Sequence, residues 1–139
     1  MKLERAIEIA VEAHSGVKDK GGAPYILHPL AVMHSLETEN EKIVGVLHDV
    51  VEDSDWTFEK LAEEGFSIEI VDAVRSVTKS SEDSDYSDFI RRVKRNPIGK
   101  KVKIADLKHN MDVTRIPDLS NDDLDRLIKY KAALKSLVE

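Results

Sequence analysis

The sequence predicts an all-α protein. Three observations carry that expectation. Apolar residues recur at spacings of three and four through most of the chain, and no stretch alternates with a period of two. Helix-capping residues, prolines and glycines fall where such segments would start and stop. At 139 residues the chain is expected to form one compact domain over 1–139, long enough for a real core.

The first expected helix covers 2–14, with Leu3, Ile7, Ala10 and His14 stacked on one side, so His14 reads as a hydrogen-bonded core histidine. Residues 16–24 hold a glycine pair and a proline and form a loop. Pro29 suits the first position of a second helix, because its missing N–H is not needed there, and His28 is then fixed at a helix start. That helix runs through Leu30, Val32, Met33 and Leu36 to the polar break at Thr38, and a central helix follows at about 41–53. Thr57 caps a helix near 57–64 that Gly65 closes, and Ser67 precedes another over about 68–77. The polar stretch 78–85 is a loop, followed by a helix over about 86–95. Past Pro97 the segment 100–113 is helical by its pattern and Pro117 ends it. Ser120 or Asn121 caps a last helix with Leu124, Leu127, Ile128, Leu134 and Leu137 on one side.

Composition removes several classes of function. The absence of cysteine excludes a disulfide scaffold, a thiol nucleophile and a thiolate metal site. No run of eighteen apolar residues exists to span a membrane, and the charged segment 1–5 does not resemble a signal peptide, so a soluble cytoplasmic protein is expected. A net charge of −6 argues against general nucleic-acid binding, which needs a positive surface. Residues 91–103 are the local exception, with seven basic residues and no acid. They read as solvated helix faces on either side of a Pro97-Ile98-Gly99 break, and otherwise as a positive rim for a phosphorylated substrate.

The stretch 45–53 organises the candidate chemistry. On a continuous helix, Ile43, Val44, Val46, Leu47, Val50 and Val51 share one arc, while His48, Asp49, Glu52 and Asp53 share the other. Spacings of three and four bring those polar side chains together, and an adjacent His-Asp pair can offer one nitrogen and one oxygen to a single metal. By itself this is also what a solvated surface helix looks like. A second observation shifts the balance. With Val102 as the zero of a helical wheel, Asp106 falls near about 40°, Asn110 near about 80° and Val113 near about 20°. Asp106 thus lies on an apolar arc, where a carboxylate must be paired, hydrogen-bonded or bound to a metal. Lys103 is the ion-pair alternative. A set of histidines and carboxylates suits Mn, Fe, Zn or Co better than Ca or Mg.

Five blocks then bear a resemblance. They are Ala13-His14-Ser15-Gly16, Pro24-Tyr25-Ile26-Leu27-His28-Pro29, Leu47-His48-Asp49-Val50-Val51-Glu52-Asp53, Val77-Thr78-Lys79 and Lys103-Ile104-Ala105-Asp106-Leu107-Lys108-His109-Asn110. In order and spacing they resemble the HD-domain alarmone hydrolases, the hydrolase domain of the Rel/Spo stringent-response enzymes and its small stand-alone relatives. The resemblance implies an HD-type helical bundle and four metal ligands, His28, His48, Asp49 and Asp106. It implies Glu52 and Asp53 as catalytic acids, Asn110 as a pocket residue, and Lys20 facing the substrate phosphates. Arg126 and Tyr130 fall near further pocket positions, and Lys79 is a second cation for the transferred pyrophosphate. The implied cofactor is Mn²⁺ and the implied reaction is removal of the 3′-pyrophosphate from guanosine 3′,5′-bis(diphosphate), without synthesis. At two positions the chain departs from the family. Val17 stands where the family has a glutamine, and Asp19 where it has an arginine lying against the guanine base. The alternatives are an HD-type phosphohydrolase for another nucleotide or phosphate ester, or a catalytically idle nucleotide-binding module.

Overall fold

The computed structural model describes residues 2–139 and contains no strand among them, only an isolated antiparallel bridge between Lys18 and Pro24. In chain order the helices are α1 (Lys2–Ala13), α2 (Leu27–His34), α3 (Glu39–Leu47), α4 (Val50–Asp53) and α5 (Phe58–Glu63). They continue with α6 (Ile68–Ser76), α7 (Tyr86–Lys94), α8 (Pro97–Asn110), a 3-10 turn (Val113–Arg115) and α9 (Asn121–Val138). Among the described residues, no helix is long and apolar enough to cross a membrane.

Helix α3 is the centre of the packing. It starts sharply because Thr38 and Glu41 form a reciprocal capping box, each side chain accepting from the other's backbone N–H. Ile43, Val44, Val46 and Leu47 are all buried, so α3 is covered on every side, by α1, α2, α6 and α8. Gly45 permits the closest of these approaches, since a Cβ there would stand 2.6 Å from Leu36 Cδ1. Helix α8 is the second spine and packs against α2, α3, α6, α7 and α9. The two spines bring the residues around 48 and 106 face to face.

The chain follows the expected helices with four corrections. The central helix is interrupted between Leu47 and Val50, because the His48 ring bonds back to the Gly45 carbonyl and Asp49 leaves helical geometry with ψ near −2°. Helix α8 begins at Pro97, which occupies its first turn under an Asn96 cap, and ends at Asn110 instead of residue 113. Helix α2 begins at Leu27, so Pro29 is its third residue, still within the turn whose N–H groups need no helical partner. On α9, Leu124 and Ile128 are 45% and 70% exposed, while Ala133 and Leu137 are buried. The caps at Thr57, Ser67 and Ser120 are present as expected.

The basic stretch 91–103 is in part structural. Arg92 binds Asp83 and the carbonyls of Arg75, Ser76 and Thr78, Lys101 pairs with Glu41, and Lys103 pairs with Asp106.

Candidate metal centre and substrate cavity

His28, His48, Asp49 and Asp106 meet at the crossing of α2, the α3–α4 break and α8. His28 Nε2 lies 2.8 Å from Asp106 Oδ1, and its Nδ1 lies 2.7 Å from His109 Nδ1. The His28 and His109 rings stack at 4.9 Å, which fixes the plane of His28. His48 Nδ1 donates to the Gly45 carbonyl at 2.6 Å, so in the neutral ring the free lone pair is on Nε2. That Nε2 is buried 3.1 Å from Asp49 Oδ2 and 3.4 Å from Asp106 Oδ1, yet it makes a hydrogen bond to neither. His48 keeps helical dihedrals at the end of α3 and is buried, and the break follows at Asp49.

The electrostatics follow from burying acids together. Burial would raise the Asp49 carboxyl, but His48 and the hydroxyl of Tyr25, which donates to it, outweigh burial and hold it down to about 2. Asp106 is likewise held well below the ordinary carboxylate range, by Lys103 and His48 against the cost of burial. Lys103 Nζ sits 2.9 Å from Asp106 Oδ2, so the ion-pair alternative is present alongside the histidines. Burial opposes a charged His48 ring, and Asp49 and Asp106 overcome it, lifting His48 well above its usual value. These acids draw positive charge to the centre.

A divalent metal fits this arrangement. Donor atoms of His28, His48 and Asp49 all lie within 4.8 Å of one another, and the orphaned His48 Nε2 points among carboxylate oxygens. Spacings of 2.8–3.4 Å among the donors are those of ligands around one ion with bonds of about 2.0–2.2 Å.

Of the remaining expected residues, Asn110 donates to Asp106 Oδ1 at 3.0 Å. Glu52 and Asp53 lie one turn past Asp49, on α4, and are exposed. Glu52 Oε1 accepts from the Lys79 backbone N–H at 2.6 Å. Asp53 is exposed as a residue, but partial burial of its carboxyl, with Asp49 and Glu52 beside it, pushes that group up to about 6. A cavity of about 400 Å³ opens beside His28 and is lined by Lys20, Asn110, Arg126 and Tyr130. Lys79 does not line it; its ammonium lies 5.9 Å from the centre of the Tyr86 ring.

His14 is buried as expected, but neither ring nitrogen has a hydrogen-bond partner among the described residues. The ring packs 4.9 Å from Tyr25, and burial lowers its pKa. His34 is exposed on α2. Sequence reasoning passed over Tyr25, His109, Arg115 and Asp123. Tyr25 and His109 stood inside quoted motifs, whereas nothing local marks Arg115 or Asp123, whose partners are far away in the chain.

No family model matches the chain. It is 35% identical to a probable GTP pyrophosphokinase of Mycobacterium leprae over 125 residues, covering 81% of this chain and 16% of that protein. It is 36% identical to a guanosine-3′,5′-bis(diphosphate) 3′-pyrophosphohydrolase of Haemophilus influenzae over 116 residues, covering 74% of this chain and 17% of that protein. The protein of the same name from Aquifex aeolicus is 33% identical over 121 residues, covering 79% and 17%. The chain thus spans about a sixth of the length of these curated relatives. A solved structure described as a metazoan ortholog of SpoT that hydrolyzes ppGpp superposes with a TM-score of 0.76 at 22% identity, covering 99% of this chain and 85% of that one. The likeness extends over the whole helical bundle and establishes the fold. With the motif blocks at the helix crossing and relatives of this kind along most of its length, the chain belongs to the HD-domain, ppGpp-hydrolase-like family.

Proposed function

We propose that the domain formed by 1–139 is a metal-dependent pyrophosphohydrolase that removes the 3′-pyrophosphate of guanosine 3′,5′-bis(diphosphate). The observation that carries this reading is the junction of a buried His/Asp cluster with a cavity large enough for a nucleoside, walled by Lys20 and Arg126. His28, His48, Asp49 and Asp106 would hold the ion, taken to be Mn²⁺, and the reaction would run in the cytoplasm. A bound divalent cation supplies Lewis-acid polarisation of a phosphoryl oxygen and makes water easier to deprotonate.

The chain's own residues do the rest. Asp53, with its raised pKa, and Glu52, fixed by the Lys79 N–H, orient the attacking water and take its proton at a carboxylate oxygen. Water adds to phosphorus, the bond to the 3′-oxygen breaks, and the proton returns to that oxygen as pyrophosphate leaves. Lys20 and Arg126 offset the substrate's negative charge, while Asn110 and Tyr130 bound the sugar; Lys79, whose ammonium lies over the Tyr86 ring outside the cavity, contributes its backbone N–H to Glu52.

The test is a panel of phosphorylated nucleotides incubated with the Mn²⁺-loaded protein, with phosphate and pyrophosphate both quantified. Pyrophosphate released from guanosine 3′,5′-bis(diphosphate) is the expected result. Turnover of another nucleotide or phosphate ester alone would reassign the substrate, and binding without turnover would make the chain an idle nucleotide-binding module.

A further inference from the structure

The outer part of the cavity holds a charged pair that the reaction above does not use. Asp19, in the loop between α1 and α2, accepts from the Ala23 N–H through Oδ1 at 2.9 Å and from Arg115 Nη2 through Oδ2 at 3.3 Å. Arg115 stands on the 3-10 turn, and its Nη1 donates to the His109 carbonyl at the end of α8 at 3.1 Å. Two nitrogens of the guanidinium are therefore fixed, with Asp19 16% and Arg115 28% exposed. The backbones lock at the same point, since a Cβ at Gly21 would collide with the Arg115 carbonyl oxygen. Asp19 is thus already paired and does not present a bare negative charge to a phosphate.

The other cations of the cavity are arranged differently. Lys20 and Arg126 both converge on the buried Asp123, so Arg115 is held apart from them on its own carboxylate. The wall shared with Arg115 includes Val17, Val113, Ile116, Leu127 and Tyr130. Phosphate and pyrophosphate gain nothing from aliphatic walls, whereas a flat heteroaromatic ring can bury its faces there. A planar guanidinium suits such a ring, by stacking on it or by offering its remaining N–H donors to an acceptor edge.

We propose that Arg115 determines specificity for the nucleobase and that Asp19 is the residue that positions it. The inference rests on the nucleotide reading above. The loop that carries an acid at position 19 does not contact the base through that acid; it holds in place a guanidinium delivered by the turn after α8.

The experiment is equilibrium binding by calorimetry to the Mn²⁺-loaded full chain, with guanosine 5′-diphosphate, adenosine 5′-diphosphate and pyrophosphate as probes. None of the three carries a 3′-pyrophosphate to be removed. Arg115→Gln should weaken guanosine diphosphate roughly tenfold, the size of a desolvated cation–aromatic contact, and pyrophosphate by less than about twofold. Arg115→Lys should fail to rescue, because it keeps the charge and loses the plane. Asp19→Asn, which can still accept from Ala23, should give a smaller loss with the same preference for the nucleotide. Equal losses for nucleotide and pyrophosphate, a lysine variant that binds like wild type, or a wild type that binds pyrophosphate and no nucleoside diphosphate would each overturn the inference. Nucleoside-selective losses in a protein that hydrolyses no nucleotide would sink the hydrolase reading instead. Hydrolysis of the nucleotide with no nucleoside-selective loss would do the reverse.

Discussion

The two ends of the candidate site are held by different forces. At the metal end, His28, His48, Asp49 and Asp106 come from elements that also build the core, and three of the four are buried. At the outer end, Asp19, Lys20, Arg115, Asp123 and Arg126 come from a loop, a turn and the start of α9, and they hold one another by ion pairs across the cavity. Apolar packing sets the first arrangement, and charge, which salt can screen, sets the second. The difference teaches that the candidate metal cluster is tied to the fold itself. The outer wall of the cavity is left to segments that can change without unfolding the protein, and under the proposed function these would choose the ligand.

The largest expected effect lies at the metal end. Asp106→Ala leaves the largely covered Lys103 and two histidines without their shared carboxylate and should cost about 3 kcal/mol of unfolding free energy, measured by urea titration. The same variant, and His48→Ala, should lose the bound metal. Full occupancy by metal analysis in a His48→Ala, Asp106→Ala double variant would break the comparison at its stronger end.

Removing the acids tests chemistry apart from metal binding. Glu52→Gln and Asp53→Asn should keep the metal and lose on the order of 10²-fold in turnover. Wild-type rates in both variants would show that these exposed acids belong with the solvated surface.

Asp53 also sharpens the contrast through pH. Its carboxyl is pushed up to about 6, so in metal-free protein it should be ionised above that value and protonated below it, as followed by carboxyl NMR. A cation bound nearby favours the ionised form and should move the midpoint down. In the loaded enzyme, activity should be lost as pH falls through the lowered value. A midpoint near 4 without metal would show Asp53 to be insulated from Asp49 and Glu52.

The smallest effect belongs to the outer end. Arg126→Ala removes a partly exposed partner of Asp123 and should cost at most about 1 kcal/mol of stability. A loss as large as that of Asp106→Ala would erase the distinction between the ends.

The same division explains what the sequence made legible. Asp106 could be read because a carboxylate on an apolar arc is anomalous in a single helix, and the structure buries it as the pattern required. His48 and Asp49 stood out, but as the outer face of one continuous helix. The structure instead buries His48 against the Gly45 carbonyl, a side-chain competition with the backbone that periodicity does not register. Choosing His28 among five histidines needed the family motif, because its partners Asp106 and His109 lie far along the chain. Leu124 and Ile128 share the apolar period of α9, yet they stay 45% and 70% exposed, since a period marks a face and not its cover. Arg115 carries no local mark at all, and only its pairing with Asp19, 96 residues away, gives it a place.

Those long separations have a kinetic side. The link from His28 to Asp106 closes a loop of 78 residues, and that from Lys20 to Asp123 closes one of 103, in a chain of 139. Contacts between residues so distant in the chain form after local helices, because chain entropy must be surrendered before they give anything back. Residues 28, 48 and 49 leave the ribosome well ahead of 106 and 123, so a nascent chain carries most of the ligand set before it has the carboxylate and the cationic wall that complete the site. Closure of the His/Asp cluster and of the cavity beside it is therefore one of the last steps in the folding of the chain.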